Sequence, residues 1–179
     1  MKTFIAFFKG INVGGNKSVK MDELKKLFDS MGLKDARTFI QSGNVIFKSD
    51  KKDEKKIAQK IEKEFEKKFG FSSSVIIRSD KDLAKIAGSC PIPNYEQKEF
   101  KWVMVNFLSE APAAAEQKDL LENYKGPEEI YFKGKEMFIY YSEGSGRSKL
   151  NGTFIEKKLK ITATSRNWNT VLKLLELCK

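Results

Sequence analysis

The chain has 179 residues, which fits one medium domain or two small ones, and its 40% apolar residues exclude wholesale disorder. It has no histidine and only two cysteines, Cys90 and Cys178, so Ser-His-Asp and Cys-His catalytic units and the usual zinc sites are excluded. Its 34 Lys and Arg residues exceed its 24 Asp and Glu residues, which favours acidic partners, but only four of these cations are arginine.

The hydrophobic pattern of the first 78 residues predicts six elements in the order β-α-β-β-α-β. They are a strand at 4–9, a helix at 21–31, strands at 37–40 and 45–48, a helix between 53 and 70, and a strand at 74–78. Short aromatic or β-branched runs indicate the strands, and apolar residues three or four apart indicate the helices. This order is that of the ferredoxin-like plait.

The second half repeats the order of elements. Strands are predicted at 102–108, 129–132, 137–141 and 161–164, with helices at 113–124 and 150–159. Residues 79–100 form a connector with two prolines. Residues 165–179 form a helix with Ser165 as N-cap and an apolar face of Trp168, Val171, Leu172, Leu175 and Cys178. The sequence therefore predicts an α+β protein of two tandem ferredoxin-like plaits, residues 1–78 and 101–164, and a C-terminal helix packed on the body.

Three polar segments interrupt the apolar pattern: GINVGGNK at 10–17, QSGN at 41–44 and TSRNWNT at 164–170. A strand that runs into GINVGG, then a helix, QSGNV and a late RNWNTV, together with SKL at 148–150, resembles the uncharacterised bacterial domain-of-unknown-function family 1697. The resemblance covers essentially the whole chain. It implies a pair of ferredoxin-like subdomains, and it implies no established activity, cofactor or catalytic residue.

The leading functional hypothesis is a cleft between the GINVGG loop and the RNW segment that binds a small polar or anionic ligand. A glycine-rich connection between a strand and a helix can turn several backbone N–H groups toward one anion, and a lysine adds charge. The competing interpretation is structural, because glycines permit positive φ, QSGN suits a turn and Trp168 suits a core. The candidate ligand-binding residues are Gly10, Asn12, Gly14, Gly15, Lys17, Gln41, Ser42, Asn44, Lys149, Arg166 and Asn167.

Arg166 is expected in the first turn of the last helix, where its charge opposes the helix macrodipole. Such a position calls for a partner. That partner is either a carboxylate of the fold, such as Asp22 or Glu23, or a bound anion.

The rival hypothesis is nucleic-acid binding by a lysine stripe on the second predicted helix. The stripe consists of Lys52, Lys56, Lys60, Lys63 and Lys67. Interleaved glutamates and the lack of the aromatic signature of RNA-recognition motifs disfavour it.

Other functional features are expected to be few. No paired catalytic constellation is visible, so whether the protein is an enzyme stays open. No cofactor or metal is expected, and the oligomeric state is open. No apolar run approaches the roughly 20 residues of a membrane helix, and the N-terminal run is too short for a signal peptide. A cytoplasmic protein without a membrane partner is therefore expected.

Overall fold

The computed structural model describes residues 1–179 as a mixed α/β protein with two four-stranded antiparallel sheets and six helices. The chain divides into two units, Met1–Lys85 with Leu174–Lys179, and Ile86–Lys173. The end of the chain belongs to the first unit, where the Arg37 guanidinium donates to the Leu177 carbonyl at 2.7 Å. None of the helices combines the length and the apolar composition that crossing a membrane would require.

The first unit has the element order expected from the sequence, with strand order β2-β3-β1-β4. Its elements are β1 (Lys2–Phe8), α1 (Met21–Ser30), β2 (Lys34–Phe39), β3 (Asn44–Ser49), α2 (Glu54–Phe69), β4 (Val75–Ser79) and the start of α3 (Asp80–Ala87). Because β1 and β3 run antiparallel, with Phe7 opposite Asn44, the end of β1 lies beside the start of β3.

The core of the first unit forms where one sheet face meets α1 and α2. Alternate residues of β1 point into it, so Phe4 and Phe8 are buried there, as the period of two in a strand requires. The Phe8 ring centroid lies 5.1 Å from that of Phe65 on α2. The predicted ends of α2 are confirmed. Asp53 caps the first turn by accepting from the Lys56 N–H, and Gly70 ends the helix at φ 76°.

The second unit repeats this arrangement, with strand order β6-β7-β5-β8. Its elements are β5 (Val103–Leu108), α4 (Ala114–Asn123), β6 (Glu129–Lys133), β7 (Glu136–Tyr140), α5 (Gly152–Leu159), β8 (Ala163–Asn167) and the start of α6 (Trp168–Leu177). A second core cluster includes Leu108, Leu120, Ile139 and Ile155.

The last strand and helix differ from the sequence-based expectation. Residues through Asn167 belong to β8, where Arg166 lies opposite Val105, so α6 begins at Trp168 instead of Ser165. The Asn167 side chain accepts from the Thr170 N–H at 2.9 Å and therefore serves as the N-cap. Pairing with β5 explains the difference, because tertiary pairing overrides the weak local preference of short polar residues.

The buried face of α6 is also rotated from the predicted one. Trp168, Val171 and Leu174 are buried, whereas Leu172 is 36% exposed.

Candidate functional site

The GINVGG segment forms a small β-hairpin. Val13 pairs with Asn16, and Gly14 and Gly15 between them have φ of 64° and 76°, as a two-residue type I′ turn requires. The sequence predicted a glycine-rich loop that connects β1 directly to the N-terminus of α1. This expectation is wrong, because α1 begins only at Met21. The glycines instead shape the exposed tip of a hairpin.

Asn12 ties this hairpin to the turn between β2 and β3. Its Nδ2 donates to the carbonyls of Gln41 at 2.8 Å and Val19 at 3.0 Å, and its Oδ1 accepts from the Val19 N–H at 2.7 Å. Residues 10–17 and 40–44 therefore form one surface, which we call the hairpin surface. The sequence could not decide this, because it depends on the antiparallel pairing of β1 with β3.

The candidate residues of the first unit divide into structural and exposed ones. Asn12 and Asn44 are structural. The Asn44 side chain is buried, and its Nδ2 donates to the Phe39 carbonyl and to the Ser42 hydroxyl. The residues that stand exposed on the hairpin surface are Gly10, Gly14, Gly15, Lys17 and Gln41. These exposed residues are the most accessible to a ligand, whereas Asn12 and Ser42 are half-buried.

The hairpin surface carries backbone strain. Ile40 has φ 52° although it is β-branched, and its side chain is 47% exposed. A β-branched residue in the left-handed region is a conformational outlier that costs on the order of 1–3 kcal/mol, and such outliers concentrate at functional sites.

Replacing Ile40 with asparagine is expected to raise the free energy of unfolding by about 1 kcal/mol, because asparagine tolerates the left-handed conformation. Urea unfolding followed by circular dichroism measures this change. The control is Val13→Asn, which removes an exposed β-branched side chain without positive φ and should stay within about 0.5 kcal/mol of the parent. Equal effects of the two changes would contradict the assignment of strain to Ile40.

Arg166, Asn167 and Lys149 belong to the second unit. Arg166 is buried on β8, where its guanidinium donates to the Thr164 hydroxyl at 2.9 Å and the Ser165 carbonyl at 2.8 Å. Burial lowers the pKa of Arg166 to about 10, which leaves it charged at neutral pH. Asn167 has the structural role of capping α6.

Lys149 lines a cavity of about 640 Å³ within the second unit. The same cavity contains a hydrogen-bonded group of three residues, Tyr124, Glu128 and Ser148. Sequence reasoning missed Tyr124 and Glu128, because no local pattern joins them to the SKL motif. Only the fold brings residues so far apart in the chain together.

The lysine stripe is exposed along α2 at Lys56, Lys60, Lys63 and Lys67. Lys52 differs from the expectation, because it precedes the N-cap Asp53 and lies outside the helix.

The two cysteines are free and half-buried. Burial raises the pKa of Cys90 and raises that of Cys178 to about 11, so neither thiol is activated as a thiolate at neutral pH. The structure shows no group of three or more acidic or thiol side chains that could hold a metal ion.

The comparisons place this fold among known proteins. The family described as "Protein of unknown function (DUF1697)" matches residues 1–138, so the chain belongs to this family and the resemblance is confirmed over that range. The solved structure of the conserved bacterial protein SP0830 from Streptococcus pneumoniae is similar, with 23% identity, a TM-score of 0.74 and 99% of both chains covered. At this identity the likeness concerns the fold alone. No curated protein matches the chain.

Proposed function

We propose that this protein binds a small anionic ligand at the hairpin surface. The observation that carries the proposal is the fixed yet exposed hairpin. The hydrogen bonds of Asn12 hold it in place, while Gly14 and Gly15 present their backbone at its tip. Backbone donors fixed in advance bind an anion without the entropy loss of ordering a loop.

The chemistry of the hairpin surface suits an anion. No atom lies within 4 Å of where a Cβ would stand at Gly14 or Gly15, so a ligand can approach the backbone closely. Lys17 supplies a positive charge, and its Nζ lies 5.9 Å from the centroid of the Phe71 ring, which restricts its position. Residues 1–78 carry 18 Lys and Arg against 10 Asp and Glu, which attracts anions to this unit.

Titration of the full chain with pyrophosphate, followed by ¹H–¹⁵N spectra, tests the proposal. We expect saturable shifts of the amides of Gly14, Gly15 and Asn16. Lys17→Gln should weaken binding about tenfold, because it removes one charge-assisted contact. The control is Lys20→Gln, an exposed lysine outside the hairpin surface.

Two results would overturn this proposal. One is the absence of saturable shifts at these amides up to about 10 mM pyrophosphate, a concentration that saturates a millimolar site. The other is an equal loss of pyrophosphate affinity in Lys20→Gln.

That Lys149, Arg166 and Asn167 contact the same ligand stays a prediction from the sequence, as does a cytoplasmic location.

We also propose that each unit is a ferredoxin-like plait. The β-α-β-β-α-β order of the elements and the strand orders β2-β3-β1-β4 and β6-β7-β5-β8 support this finer description.

Nucleic-acid binding is the second candidate function, and the exposed lysines of α2 support it. Four phosphate contacts on a single strand would give a slope of log K against log salt of about −3. We expect instead weak binding that vanishes near 150 mM salt, where the screening length is about 8 Å, because glutamates interleave with the lysines. Titration of a labelled oligonucleotide at several salt concentrations measures the slope.

A paired charge reversal distinguishes a specific site from general attraction. Lys60→Glu with Lys63→Glu should reduce the slope by about 1.5 if α2 contacts phosphates. Lys2→Glu with Lys34→Glu changes the net charge equally at exposed positions of the same unit. Sub-micromolar binding near 150 mM salt that only the first pair abolishes would reverse our ranking of the two functions.

A further inference from the structure

The cavity of the second unit has a carboxylate built into its wall. The Tyr124 hydroxyl donates to Glu128 Oε2 at 2.7 Å, and the Ser148 hydroxyl donates to Glu128 Oε1. The Leu150 N–H in turn donates to the Ser148 hydroxyl at 3.0 Å, which orients that hydroxyl. At Gly126 a Cβ would stand 2.2 Å from both Glu128 Oε2 and the Tyr124 hydroxyl, so only glycine leaves room for this arrangement.

Glu128 is a charged group without a cationic partner. It is half-buried, and both of its side-chain partners are neutral hydroxyls. Burial raises its pKa, but hydrogen bonds from Ser148, Tyr124 and its own backbone outweigh burial and leave the pKa below its ordinary value. Glu128 is therefore a carboxylate at neutral pH. Because no cation of the chain pairs with Glu128, its charge favours the approach of a cationic group of a ligand.

The rim of the same cavity carries positively charged side chains without carboxylate partners. Arg147 and Lys149 line it, are exposed, and make no hydrogen bond or ion pair with the rest of the chain. Some other lysines of this unit pair with carboxylates, as Lys98 does with Glu129 at 2.9 Å. The cavity is therefore lined by charges of both signs, the cations Lys125, Arg147 and Lys149 and the carboxylates Glu128 and Glu143, and this mixture suits a ligand that carries both charges.

We propose that this cavity binds a free amino acid or a similar small zwitterion. The ligand ammonium contacts Glu128, whose carboxylate oxygens keep acceptor capacity beyond the hydrogen bonds from Tyr124, Ser148 and the Glu128 backbone. The ligand carboxylate contacts Arg147 and Lys149. The aromatic pair of Tyr124 and Phe154, with ring centroids 5.7 Å apart, offers an apolar wall for a side chain. The cavity volume of about 640 Å³ is ample for such a ligand.

This site does not depend on the proposed function, since Glu128 and Arg147 lie in the second unit and the hairpin surface lies in the first. Each common L-amino acid is titrated separately into the full chain, and ¹H–¹⁵N spectra report the amides of Gly126, Ser148 and Leu150. At least one amino acid is expected to give saturable shifts there. Its amine analogue without the carboxylate and its acid analogue without the amine should each bind about tenfold more weakly or worse, because each loses one charge-assisted contact.

Variants separate a zwitterion site from a nonspecific cavity. Glu128→Gln and Arg147→Gln should each weaken binding about tenfold, whereas Lys157→Gln, exposed on α5, should leave it unchanged. If Glu128→Gln fails to fold, the exposed Arg147→Gln and the two analogues decide the question. The proposal is overturned if no amino acid saturates these shifts below about 10 mM. It is equally overturned if binding survives both glutamine variants, or if the single-charge analogues bind as tightly as the amino acid.

Discussion

Replacing Gly43 with alanine is expected to destabilise the first unit by about 3 kcal/mol. Its φ of +77° costs a residue with a side chain about 1–2 kcal/mol. The added Cβ would also stand 2.5 Å from Ile11 Cδ1 and 2.8 Å from Phe8 Cβ. Both neighbours are buried in the core, so making room for the methyl group costs about 1–3 kcal/mol more. Urea unfolding followed by circular dichroism measures the loss.

Gly32→Ala in the same unit is the matched control. Gly32 has a similar φ of +75°, but nothing lies within 4 Å of the position of its Cβ. The free energy of unfolding of Gly32→Ala should therefore fall by only about 1–2 kcal/mol, the cost of placing a residue with a side chain at positive φ. Equal losses of stability in the two variants would mean that crowding of the added Cβ against Ile11 and Phe8 contributes nothing to the destabilisation. The alanine at position 43 should also disturb the hairpin surface, because Ile11 adjoins Asn12.

Replacing Trp168 with alanine is expected to destabilise the second unit by about 3–5 kcal/mol. The indole is buried, with its ring centroid 5.5 Å from that of Tyr95 and 6.3 Å from that of Phe138. Its removal leaves a large cavity among side chains that cannot collapse fully. Thermal and urea unfolding by circular dichroism measure the loss without relying on tryptophan fluorescence.

Two further variants test the physical basis of this expectation. Trp168→Phe should lower the free energy of unfolding much less, by about 1 kcal/mol. The buried Nε1–H has no hydrogen-bond partner, so its removal offsets part of the lost packing. Leu172→Ala, on the exposed face of α6, should stay below about 1 kcal/mol. A loss in Leu172→Ala as large as that in Trp168→Ala would contradict the buried face described for this helix.

The sequence by itself determined the β-α-β-β-α-β order of elements in each half, but not the helix α3 (Asp80–Ala87), which lies in the stretch predicted as a connector. Hydrophobic periodicity and end signals are local, so α2 lies between Asp53 and Gly70 as expected. The turn at QSGN was also predictable, because glycine and asparagine prefer turns.

Only the tertiary structure decided where the polar residues meet. Asn12 can hydrogen-bond to Gln41 because β1 pairs with β3. Glu128 can hydrogen-bond to Ser148 because two loops of the second unit lie side by side. Pairing with β5 likewise makes Arg166 a strand residue and moves the start of α6 to Trp168. These contacts join residues distant in the chain, and local propensity has no information about partners that only folding brings together.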